Sequence, residues 1–233
     1  MRIAIFSDIH SNLEALTTAF GYIDQVGIDQ VICLGDIVGY GPDPQECITR
    51  IRERCGWIIL GNHDVGIISP EQLHDFNSVA RSALEWTIRE LNTHAREFFL
   101  SLPYSMTKEG MMFVHSTPRN PAKWEYIFSS FEARLYSDAF TERLCFIGHS
   151  HIPGVYCMNP RVREYNTMDK FIINVGSIGQ PRDGDPRLSF GILDTVAGTY
   201  ENVRLDYDAK TTASKILKRG LPRYLAERIL IGR

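Results

Sequence analysis

Three short apolar runs open the chain, RIAIFS (2–7), VICLG (31–35) and WIILG (57–61), with a helical pattern between each pair. This alternation constrains the fold more than any other feature. Between the first two runs, Leu13, Leu16, Phe20 and Ile23 recur at helical spacing behind Asn12, a residue suited to capping a helix. Between the second and third, Asp43, Pro44 and Glu46 predict an N-cap, a first helical position and a capping-box partner for DPQECITRIRERCG. Strands joined through helices by short connections lie in a parallel sheet covered by those helices.

The pattern then changes. Residues 70–102 are mostly helical, with Val79, Ala83 and Trp86 on one face and Ala80, Leu84, Ile88 and Leu91 beside them. From about Met111 the chain is rich in strand patterns, namely MMFVH, RLCFIGH, GVYCM, FIINVGS, LSFGILD and YENVRLDY, with one helix near 130–140. Helices return over 208–231, broken at Gly220–Pro222. No repeat, low-complexity tract or linker divides the 233 residues. The expectation is one domain over 1–233, with a helical insertion at about 70–102 and a helical C-terminal segment at about 208–231.

Polar residues gather where the predicted strands end. SDIHSN supplies Asp8 and His10; GDIVGYG supplies Asp36; GNHD supplies Asn62, His63 and Asp64. Later, VHSTP supplies His115, and FIGHSHIP supplies His149 and His151. An extended backbone would point the last two imidazoles to one face. His74 and His94 lie elsewhere and read as solvated. Ligand sites in open α/β sheets lie at the carboxyl ends of strands. Each motif alone could be a strand-end cap, but five in succession that all offer metal-ligand side chains argue otherwise. Two aspartates, one asparagine and four or five imidazoles form a mixed N/O set without thiolate. Such a set suits Mn, Fe, Co, Ni or Zn, is too large for one tetrahedral ion, and is about right for two.

The ordered set DIH, GDIVGYG, GNHD, VHSTP and GHSH resembles the calcineurin-like metallophosphoesterase superfamily over most of the first 155 residues. NVGSIGQPRDGDPR and the surroundings of ALEWT extend a weaker resemblance, to a small single-domain bacterial and archaeal branch, over nearly the whole chain. The resemblance implies an α/β fold, a four-layer sandwich of two packed mixed β-sheets flanked by helices. It implies that Asp8, His10 and His151 hold one divalent or trivalent transition-metal ion. Asn62, His115 and His149 would hold a second, and Asp36 would bridge both. His63 would face the substrate without binding metal. A hydroxide between two cations is ionised near neutral pH and can attack phosphorus in line. His63, with a pKa movable across neutrality, would then stabilise phosphoryl oxygens or give a proton to the leaving oxygen. Asp64 would orient a neighbour or cap a helix.

The chain also departs from the family pattern. Protein phosphatases and the diadenosine tetraphosphatases like them have GDxxDRG where this chain has GDIVGYG, so Gly39 and Tyr40 replace an aspartate and a phosphate-gripping arginine. Arg182, Arg187 and Arg119 are the candidate replacements, Arg182 foremost. The expected activity is hydrolysis of small phosphomonoesters, phosphodiesters or nucleotides. A diadenosine polyphosphate hydrolase or a protein phosphatase-like enzyme is the alternative; a scaffold that has lost its ligands is the non-enzymatic one. A net charge of −3 and a pI near 6.2 disfavour nucleic acid as a partner. Five cysteines without a CxxC pair read as reduced, and no apolar run reaches membrane length or resembles a signal peptide. A cytoplasmic protein with no membrane partner is expected. The C-terminal run KTTASKILKRGLPRYLAERILIGR carries seven basic residues and one acid, and suits a solvated helix pair, the rim of a site or a homo-oligomer contact.

Overall fold

The computed structural model describes residues 1–162 and 164–233. In chain order the first half comprises β1 (Arg2–Phe6), α1 (Leu13–Val26), β2 (Gln30–Cys33), α2 (Pro44–Arg54), β3 (Trp57–Ile58), α3 (Asn62–Ile68), α4 (Ser78–Glu90) and α5 (Thr93–Leu100). The second half comprises β4 (Ser105–Lys108), β5 (Met111–Val114), α6 (Ser130–Arg134), β6 (Leu144–Ile147), β7 (Gly154–Cys157), β8 (Phe171–Asn174), β9 (Leu188–Asp194), β10 (Thr199–Leu205), α7 (Ala209–Lys218) and α8 (Arg223–Ile229). The strands form two mixed five-stranded sheets, ordered β10-β9-β1-β2-β3 and β4-β5-β6-β8-β7.

The layering follows from alternation of side chains along each strand. In β1, Ala4 and Phe6 face the helices and pack with Leu16, Phe20, Ile48 and Ile51 of α1 and α2. Ile3 and Ile5 face the other way and meet Phe113, Phe146 and Phe171 of the second sheet. In β6, Leu144 and Phe146 point inward, while Cys145 and Ile147 point outward to Ala133 of α6 and to Phe140. Both sheets are thus covered on both faces, which is why these runs are continuously apolar.

Two local expectations fail. Asp43 stands at the N-cap of α2 without capping it, and no box with Glu46 closes; its carboxylate instead accepts from Lys215 Nζ of α7 at 2.8 Å. The WIILG strand is short: pairing ends at Ile58, although Ile59 N still donates to Cys33 O at 3.0 Å. Beyond it, Leu60 N turns to Pro103 O, releasing the chain into the Gly61 turn.

Candidate metal centre

The parallel strands β1, β2, β3, β5 and β6 end on one side of the molecule, and the five sequence motifs follow those ends. The chain leaves each strand by an abrupt turn. Asp8, His10, Asp36, Tyr40, His149 and His151 all have positive φ, between 46° and 66°. For residues with a Cβ this conformation costs on the order of 1–3 kcal/mol each and persists only where surrounding structure imposes it. His149 and His151 are therefore not an extended pair sharing one face. Each sits in a left-handed turn, and they diverge to different neighbours.

Three groups of ligand atoms converge, each with its atoms within 4.8 Å of one another: Asp8, His10 and His151; Asp36, His115 and His149; and His10, Asp36 and His63. Asp36 Oδ2 lies 3.6 Å from His10 Nε2 and 3.4 Å from His115 Nε2, between the first two groups. Asp8 Oδ1 is 3.2 Å from His151 Nε2 and 3.8 Å from His115 Nε2. All seven of these aspartates and histidines are at least nine-tenths buried.

Main-chain carbonyls set the orientation of the rings. Nδ1 of His10, His115 and His151 lies 3.0, 2.8 and 2.6 Å from the carbonyls of Val38, Leu34 and Gln180. With the proton on Nδ1, each Nε2 lone pair is directed into the centre. His149 is reversed: its Nε2 meets Trp124 O at 2.8 Å, leaving Nδ1. His149 N donates to Asp8 Oδ2 at 3.0 Å, and His63 N to Asp36 Oδ1 at 2.8 Å, so each carboxylate has one oxygen anchored and one directed inward. Asp64 accepts from the N–H groups of Ile37, Val38 and Gly61, pinning the second motif to the third.

The donor set fits cations. Asp8 Oδ1, Asn62 Oδ1 and His115 Nε2 are buried without a hydrogen-bond partner. His10 Nε2 and His151 Nε2 face each other at 3.1 Å, an arrangement of two lone pairs that a cation between them relieves. Unpartnered buried polar atoms are rare and costly unless a ligand satisfies them.

Burial dominates the titration of the imidazoles. It pushes His149 down to about 3 and His63 down to about 4, and lowers His10 and His151 as well. Neutral imidazole is the ligating form. Burial acts on His115 in the same direction, but Asp36 and Asp8 outweigh it and push His115 up to about 9. Burial alone would raise Asp8 and Asp36. The imidazoles of His151 and His115 beside Asp8, and of His115 and His63 beside Asp36, hold both carboxyls below their ordinary range instead.

A cavity of about 410 Å³ opens onto Asp36, Asn62, His63, His149 and His151, with Arg182 on its wall. His63 does not have the titration expected from the sequence, because burial removes it from the neutral range. Its Nδ1 is unpartnered and lies against Gly39, where a Cβ would meet it at 2.3 Å. Tyr40 covers the ring at 4.4 Å between centroids, and Phe76 at 5.0 Å. Arg119 and Arg187 are engaged elsewhere, pairing with Asp138 and Asp185. Among the three arginine candidates, Arg182 alone lines the cavity. The aromatic walls were missed from sequence. Trp124 and Tyr126 line the cavity, and Tyr126 stacks on His149 at 4.1 Å and 13°. The aromatic density of KWEYIF after the VHSTP motif was the available signal.

Two packed mixed sheets with nitrogen and oxygen ligands clustered at their strand ends define a metallophosphoesterase architecture. The match is direct: residues 1–198 fit the calcineurin-like phosphoesterase superfamily domain, and the chain belongs to that superfamily. An uncharacterized protein of Methanocaldococcus jannaschii is 40% identical over 243 residues, covering 99% of this chain and 98% of its own. The crystal structure of a metallophosphoesterase from Sphaerobacter thermophilus superposes with a TM-score of 0.89 at 36% identity, over 100% of this chain and 99% of that one. A hypothetical protein from Pyrococcus horikoshii shares the fold, with a TM-score of 0.81 at 21% identity over 100% and 98% of the two chains. No helix is long and apolar enough to cross a membrane among the described residues.

Proposed function

We propose that residues 1–233 act as one domain, a dinuclear metal-dependent phosphoesterase that hydrolyses small phosphomonoesters, phosphodiesters or nucleotides. The observation carrying this reading is the convergence of ligand side chains from five strand ends around Asp36, with Asp8 Oδ1, Asn62 Oδ1 and His115 Nε2 buried and unpartnered. Asp8, His10 and His151 would hold one transition-metal ion, Asn62, His115 and His149 would hold the other, and Asp36 would serve both. Cations held there would supply charge neutralisation at the phosphoryl oxygens and a lowered pKa for a bound water. Two carboxylates would only partly neutralise two divalent ions, so a loaded centre would remain cationic and attract phosphate.

The remaining work falls to the chain. Arg182 stands on the cavity wall, where its guanidinium suits an anionic group of the substrate. His63, neutral at pH 7, has Nδ1 turned to Gly39 and carries its proton on Nε2. From there it donates a hydrogen bond to the phosphoryl group as charge develops. Tyr40 and Phe76 keep water from the imidazole. Because Gly39 leaves no carboxylate to pair with His63, a protein phosphatase-like reading is disfavoured. A complete ligand set is equally at odds with a scaffold that has lost its metals.

Asp36→Asn tests the shared ligand. Metal content should fall at both positions, and turnover of an aryl phosphate should drop by on the order of 10²-fold or more, as for losing a group that stabilises transition-state charge. Unchanged metal content and turnover would overturn the role of Asp36.

A further inference from the structure

Two guanidiniums lie over the Tyr40 ring. Arg182 Cζ is 5.7 Å from its centroid and Arg228 Cζ 6.0 Å, and Arg228 also lies 5.2 Å from the Tyr224 ring. Arg119, Arg187, Arg204 and Arg223 pair with carboxylates. Neither Arg182 nor Arg228 pairs with an aspartate or glutamate side chain among the described residues. Arg182 donates through Nε and Nη2 to the neutral Gln180 Oε1, at 3.3 and 2.8 Å. Arg228 donates through Nε to the Arg233 main-chain oxygen, and its Nη groups have no acceptor among the described residues.

The position of Arg228 is fixed by packing. Leu225, Ala226 and Ile229 of α8 are buried against Tyr40, Ala213 and Ile216. Half-buried as it is, Arg228 has its pKa lowered first by lost hydration and then by the charge of Arg182. Two neighbouring cations partly withdrawn from water, with donors to spare, are costly alone and are stabilised by an anion. They also stand beside the residue, Tyr40, that occupies the place of the arginine in the related phosphatases.

We propose that Arg182 and Arg228 form a second anion subsite beside the metal centre, so that the preferred substrate carries a carboxylate or a further phosphate besides the phosphoryl group at the metals. This rests on the phosphoesterase reading above. It makes the C-terminal helix part of the site, and it selects against small esters with an uncharged tail. Tyr40 spaces the two subsites.

Non-hydrolysable phosphonates test the subsite by binding alone, whatever the turnover. Calorimetry on the metal-loaded, full-length protein would compare 3-hydroxypropylphosphonate with the near-isosteric 3-phosphonopropionate and with propane-1,3-bisphosphonate. The second anion should tighten binding to the wild type by roughly tenfold, the scale of a charge-assisted hydrogen bond. Which of the two anionic tails binds tighter identifies the natural group. Arg228→Gln should collapse the preference to within about twofold, and Arg228→Lys should keep part of it. Because the preference is a ratio of constants within one protein, a partly unfolded sample does not move it. Equal binding of charged and uncharged tails by the wild type would overturn the subsite, as would a preference that survives in Arg228→Gln. A protein that shows the preference yet hydrolyses no phosphoester would instead sink the phosphoesterase reading and leave the anion subsite standing.

Discussion

At the scale of single residues, His63 shows how one missing side chain redirects another. Gly39 has φ +90°, and its absent Cβ is the space the His63 ring occupies. In the family pattern an aspartate stands there and pairs with the histidine; here the imidazole is buried between Tyr40 and Phe76 and stays neutral. A neutral donor acts on the phosphoryl oxygens irrespective of the leaving group. His63→Ala should therefore lose on the order of 10²–10³-fold in kcat, similarly for an alkyl and an activated aryl phosphate, with metal content retained. A much larger loss for the alkyl ester would make His63 a proton donor, and loss of metal would make it a ligand. Asp8, His10, Asp36, Asn62, His115, His149 and His151 were legible from the sequence as candidate ligands, because each follows a recognisable apolar run, while their proposed division between two ions came only from the family resemblance. Arg228 was not legible, since nothing in RYLAERI distinguishes it from a solvated helix face until the fold sets it beside Tyr40. The divergence of His149 and His151 was likewise hidden, because left-handed backbone at a non-glycine residue leaves no mark in a period-two spacing.

At the scale of elements, the connections carry the chemistry and the strands hold them still. The 35–41 loop illustrates this. Asp64 fixes it through two N–H groups, and Gly61 allows it to approach, since a Cβ at Gly61 would meet Asp36 Oδ1 at 2.1 Å. Gly39→Ala should strain this loop twice, through its positive φ and through the contact with His63. The expected result is a loss of about 1–3 kcal/mol in unfolding free energy, read from denaturant melts, together with reduced turnover. Wild-type stability and activity would mean that the loop and ring adjust freely. Most elements were readable, the β-α-β-α-β opening and the paired C-terminal helices among them, because their apolar periods are clean. β4 was missed: Ser105-Met106-Thr107-Lys108 offers one large apolar residue, and antiparallel pairing with β5 gives it its conformation. Asp43 misled as a cap because Lys215, far away in sequence, competes for its carboxylate.

Across the whole molecule, the seven proposed ligands lie at strand ends of two sheets that together draw on both halves of the chain, so fold and candidate centre share one electrostatic balance. In chelated protein, His63 and His149 have folded pKa values far below their ordinary 6.5, so they bind fewer protons when folded and stability rises with pH up to about that value. His115 works in reverse. Raised to about 9, it stabilises the fold fully below 6.5 and loses that contribution as pH climbs to 9. Thermal melts of the chelated protein should therefore show maximal stability near pH 6–7. Metal-loaded protein should keep its stability toward pH 9, because binding has already displaced the His115 proton. A chelated protein that grows steadily more stable to pH 9 would contradict the charge arrangement.

The central claim is that two ions act together on Asp36. It is tested most directly by titrating chelated, full-length protein with Mn²⁺ while following hydrolysis of an aryl phosphate. Hydrolysis should stay low through the first equivalent, rise through the second and saturate at two per chain. Saturation at one equivalent, or no hydrolysis at any loading, would contradict it.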